Sequence, residues 1–64
     1  GMIGGVAEVQ IPFVEHPGGS GYFGKVVIRG ELWNASASEA LLKGERVTVI
    51  GRDALTLKVS RREE

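Results

Sequence analysis

The sequence predicts a small all-β barrel of five strands, with one short helix between the third and fourth strands. Three observations carry that expectation. Apolar and polar residues alternate at period two over most of the chain, as in strands with one buried face. Clusters of turn formers interrupt the alternation at short intervals. The period changes only once, between Ser36 and Gly44, where helix formers take over.

In the first strand, within "GVAEVQIPF", Ala7, Val9, Ile11 and Phe13 point inward while Glu8 and Gln10 point outward. Pro12 has no N–H for a ladder, so the strand is expected to end there or to lie on an edge. "EHPGGSG" is a turn-forming stretch. In "YFGKVVIR", Tyr22, Val26 and Ile28 share the inner face, with Lys25 and Arg29 on the other. Gly24 shares the inward parity and marks a bend or a close backbone approach.

Gly30-Glu31 has the Gly-X form of a two-residue hairpin turn and leads into a short strand from Leu32 to Ser36. Across that turn Ile28 and Trp33 pair on one face, so Trp33 is expected inward, as the largest piece of the core. On that reading, Trp33→Ala costs about 3–5 kcal/mol. Ser36 and Glu39 then form a capping box ahead of Ala40, Leu41 and Leu42, and Gly44 stops the short helix.

The last third is a hairpin. Val47 and Val49 point in, Thr48 and Ile50 out, and Gly51 to Ala54 make the turn. Leu55, Leu57 and Val59 then point in, with Thr56 and Lys58 out. The order β-β-β-α-β-β is that of the OB-fold, a five-stranded Greek-key barrel. Residues 1–64 read as a single OB-fold domain. Gly1 is taken as a tag remnant ahead of Met2, and residues 60–64 as a frayed tail.

Composition narrows the function classes. Eight basic and eight acidic residues give a formal net charge of zero. A domain built to hold nucleic acid carries a positive excess, because phosphate neutralisation supplies most of its affinity. With no cysteine, the chain has neither disulfides nor thiolate metal ligands. No apolar run reaches the roughly 18 residues of a transmembrane helix, and no signal-peptide pattern opens the chain.

The motifs are weaker than they look. Gly19, Gly21 and Gly24 fit G-x-G-x-x-G, but they open a strand and not a helix, so no phosphate meets a helix N-terminus. The kinase form lacks its distant lysine, catalytic loop and metal motif. His16, beside Glu15, cannot supply the four ligands of a structural zinc site. A Ser20-His16-Asp53 triad has no oxyanion hole to serve. The sequon at Asn34-Ala35-Ser36 lies within a predicted strand.

Oligonucleotide binding is the strongest alternative these residues allow, with Tyr22, Phe23, Lys25, Arg29 and Arg52 as its face. Tyr22 and Phe23 nevertheless point to opposite sides, and four aromatics make a poor stacking platform. No cofactor and no metal are expected, and the reading is non-catalytic.

The stretch from Gly24 to Val59 resembles the C-terminal soluble domain of NfeD-like proteins. The pattern is G-x-V-x-I-x-G-E-x-W-x-A-x-S, then K-G-x-x-V-x-V, then G-x-x-x-L-x-L-x-V. Gly24, Val26, Ile28, Gly30, Glu31, Trp33 and Ala35 match the first part. Lys43, Gly44, Val47 and Val49 match the second, and Gly51, Leu55, Leu57 and Val59 the third. Ala37 stands where the pattern has serine, and the "VEHPGGSGYF" segment is longer than usual.

The resemblance implies an OB-fold interaction domain of a membrane-associated scaffold, attached to transmembrane helices outside this chain. The implied partners are stomatin-, prohibitin- or flotillin-like membrane proteins. Long relatives carry a serine protease domain upstream, which leaves open a third reading, the regulatory domain of a membrane protease. Tyr22, Phe23, Arg29, Arg61 and Arg62 are the expected partner contacts.

Overall fold

The computed structural model describes residues 1–62. Five strands follow one another: β1 (Val6–Glu15), β2 (Tyr22–Ile28), β3 (Glu31–Ala37), β4 (Arg46–Asp53) and β5 (Thr56–Arg61). They close into a barrel in the order β1-β2-β3-β5-β4. Every pairing is antiparallel except β3 with β5, which run parallel over Asn34–Thr56, Ala35–Leu57 and Ser36–Lys58. This is the five-stranded OB topology expected from the element order.

Period-two alternation fills the interior as predicted for Ala7, Val9, Phe13, Val26, Ile28, Val47, Val49, Leu57 and Val59, all buried. Phe13 heads the fully buried side chains by volume, and Leu41 joins them from the β3–β4 connection. No polar or charged residue is buried among the described residues. The core is a closed apolar plug, and its burial is the main favourable term in folding.

Several expectations need correction, each for a local reason. β1 does not stop at Pro12 but runs on to Glu15. Its register against β2 shifts between Val9 and Ile11 and again between Ile11 and Val14. These irregularities reset the alternation, so Ile11 faces out, 49% exposed, while Phe13 returns inside.

The β2–β3 turn is Arg29-Gly30, not Gly30-Glu31, because Ile28 pairs with Glu31. Both turn residues take positive φ, 53° at Arg29 and 79° at Gly30. That is the requirement of a type I′ turn, whose twist matches the flanking strands. Trp33 consequently lies opposite Val26. Its inward parity survives, but it is only half-buried against the core.

The helix predicted between the third and fourth strands does not form. β3 continues to Ala37, pairing Ser36 with Phe23 and Ala37 with Tyr22, so Ser36 is a strand residue and not a cap. The Leu41 carbonyl accepts from Phe13 N–H at 2.9 Å, and Gly44 N–H donates to the Val9 carbonyl at 2.9 Å. Groups that a helix would use internally are thus taken by β1. A segment this short cannot offset the cost of helix nucleation against such tertiary bonds.

The β4–β5 turn is also shorter than expected. Asp53 pairs with Thr56, leaving Ala54-Leu55 as the turn, with Ala54 at φ = 56°. Leu55 therefore projects into solvent, 72% exposed, and does not enter the core. Of the tail expected to fray from residue 60, Ser60 and Arg61 belong to β5. Glu63 and Glu64 lie outside the described residues.

Candidate functional site

A surface groove lies on the outer face of β1, β2, β3 and β5. Register places Ile11 beside Lys25, Lys25 beside Asn34, and Asn34 beside Thr56, a continuous row across four strands. Next to it Val14 pairs with Phe23. With Pro12 and His16 these side chains enclose an open groove of about 470 Å³, floored by Gly24 and Ala35. That volume falls within the usual range of ligand sites.

Local sequence explains each wall. The irregular register of β1 brings Ile11 and Val14 to the outside, where Val14 is 56% exposed. Phe23 and Lys25 occupy the outward positions of β2 by simple alternation. His16, just after β1, meets Phe23 edge-on with ring centroids 5.1 Å apart and planes at 67°. This geometry sets the positive ring edge against a π face.

A second, shallower concavity of about 330 Å³ lies near the two hairpin turns, lined by Glu31, Leu32, Trp33, Asn34 and Leu55. The Arg52 guanidinium carbon stands 5.0 Å from the Trp33 ring centroid, and Arg52 Nε donates to the Ala54 carbonyl at 2.7 Å. Trp33 is therefore capped by a cation at the barrel's end.

The five residues expected as partner contacts do not form one surface. Phe23 lines the groove. Its neighbour Tyr22 points the other way and packs half-buried against the core. Arg29 sits in the β2–β3 turn, at the opposite end of β2 from Tyr22.

Arg61 is engaged within the domain. It pairs with Glu39 at 2.7 Å and Glu45 at 2.8 Å, and donates to the Ala40 carbonyl at 3.1 Å. Arg62 is exposed, and its backbone N–H donates to Arg46. The Arg61 cluster clasps the β3–β4 connection onto β5. Hydrogen bonds from Arg61 and then from Leu42 N–H hold the Glu45 carboxyl below its ordinary range, and the bond to Glu45 raises Arg61.

Sequence reasoning missed Ile11, Pro12, Val14, His16, Asn34 and Thr56 as wall residues. The available signal was Pro12: a proline inside an alternating run marks an irregularity that turns neighbouring side chains outward. Among the described residues, no three His, Cys, Asp or Glu side chains converge as metal ligands. No helix among them is long and apolar enough to cross a membrane.

The barrel thus combines a filled core with an open, largely apolar groove on its outer face. Residues 1–61 match the family model of the NfeD-like C-terminal, partner-binding domain, and the chain belongs to that family. Among solved structures it is similar to the C-terminal domain of stomatin operon partner protein 1510-C from Pyrococcus horikoshii. The two are 35% identical with a TM-score of 0.80, over 98% of this chain and 91% of that one. No curated protein matches the chain.

Proposed function

We propose that this domain is a non-catalytic docking module of a membrane-associated NfeD-like scaffold, and that it holds a stomatin-, prohibitin- or flotillin-like membrane protein. Membrane attachment comes from helices outside this chain. The observation that carries the reading is the outer-face groove, where Ile11, Val14 and Phe23 leave apolar surface open beside a fully formed core. Exposed apolar area gathered in one place is the usual mark of an interaction site. The family to which the chain belongs is described as partner-binding, and the similar archaeal domain comes from a stomatin operon partner.

Of the five expected contacts, Phe23 is the one this reading retains at its centre. Arg61 already spends its guanidinium on Glu39 and Glu45. Co-purification of the full-length scaffold with its stomatin-like neighbour tests the proposal. Capture that Phe23→Ser weakens supports it, and repeated failure of a folded wild-type protein to capture the neighbour overturns it. Salt-sensitive binding of single-stranded oligonucleotides in place of the protein would move the reading to nucleic acid.

A further inference from the structure

We infer that the groove receives an extended apolar segment of the partner protein and selects one carrying an acidic side chain, which Lys25 meets. This rests on the docking reading above and specifies the chemistry of the partner.

Charge complementarity makes the argument. Lys25 is the only Lys, Arg, Asp or Glu in the groove lining. It stands in the middle of the row, exposed, with Ile11 on one side and Asn34 on the other. Neither neighbour is acidic, and among the described residues Lys25 forms no ion pair; both bridges present belong to Arg61. A single cation in a largely apolar lining complements a segment that is apolar with one carboxylate.

The other walls fit an extended chain. The floor at Gly24 and Ala35 is backbone, because both residues turn toward the core, so a peptide backbone can lie close to it. Asn34 offers both donors and an acceptor, and Thr56 a hydroxyl, for peptide groups passing over the row. Apolar side chains of the segment then rest on Ile11, Val14 and Phe23. A second copy of this chain is a poorer occupant, because a twofold contact through this groove brings together two linings that hold no Asp or Glu to meet Lys25.

The test uses the isotope-labelled domain and two ten-residue peptides that alternate Val and Thr, one with a central Glu and one with Lys there. Backbone amide shifts are expected to cluster at Phe23, Lys25 and Asn34. The Glu peptide should bind about threefold to fivefold more tightly, the scale of a solvent-exposed ion pair. Lys25→Glu should invert that preference.

Equal affinity for both peptides, or a preference that survives Lys25→Glu, overturns the inference. Shifts centred on Trp33, self-association that protects the same amides, or binding of phosphatidylglycerol vesicles in place of peptide does so too. The docking reading is separable. Capture of the stomatin-like protein that Phe23→Ser and Lys25→Glu both leave unchanged overturns the groove and spares docking. No capture, with the peptide preference intact, does the reverse.

Discussion

Gly24 of β2 lies directly against Phe13 of β1. A β-carbon at position 24 would stand 2.5 Å from Phe13 Cδ1 and 2.6 Å from the Ile11 carbonyl oxygen. The bulkiest fully buried side chain thus occupies the space that residue 24 leaves empty. On the opposite, outer side the backbone of Gly24 forms part of the groove floor.

Gly24→Ala is expected to lower stability by about 2 kcal/mol, the scale of overpacking a filled core. For a domain of this size that is roughly 10 °C in melting temperature. The Ile11 carbonyl is backbone and cannot rotate away, so trimming Phe13 to Leu should not restore the loss. Thermal melts of the single and double variants check this.

Arg29 holds a left-handed conformation at φ = 53°, where residues other than Gly, Asn and Asp are strained. Arg29→Asn makes the turn Asn-Gly, the preferred pair for type I′. It should raise stability by about 0.5 kcal/mol, or about 3 °C. If the same variant also loses partner capture, Arg29 is a contact as well as a turn residue.

Trp33 is half-buried, so Trp33→Ala should cost about 2 kcal/mol, below the 3–5 kcal/mol of a fully buried tryptophan. Arg52→Ala should cost about 0.5 kcal/mol through loss of its contact with the ring. A double-mutant cycle in denaturant should give a coupling of about 0.5–1 kcal/mol between the two. Zero coupling would make the stacking incidental.

The Glu39–Arg61–Glu45 clasp sets an acid dependence. Glu45 titrates lower in the folded protein than in the unfolded chain, so its contribution is complete above the ordinary carboxylate range. It is lost as pH falls through the lowered folded value. Arg61 is raised by the same carboxylate, so the pair is intact from the ordinary carboxylate range up to the arginine range and is lost only when one partner changes charge. Glu45→Gln should destabilise at pH 7, and the difference from wild type should vanish in strong acid. Melts from pH 7 to pH 2 measure it.

Alternation determined the five strands and most of their inward residues, because a half-buried strand must repeat every two residues wherever it lies. Ile11 and Leu55 share that inward parity and face out. The inward parity of Trp33 follows from the same rule even though the turn lies one residue earlier than Gly30-Glu31, since that shift changes the pairing sum by two and preserves the face. Lys25 and Phe23 were legible as outward positions on the same grounds.

What the tertiary structure decided lies where long-range bonds compete with local preference. Leu41 and Gly44 sit in a sequence that caps and propagates a helix, yet their backbone groups bond to Phe13 and Val9 of β1. Ile11 has inward parity in the sequence, yet the register shifts around it turn it outward into the groove wall. The groove is the product of those shifts and of the row that crosses four strands. No window along the chain contains both, because residues as distant as Ile11 and Thr56 line one groove only when the barrel closes.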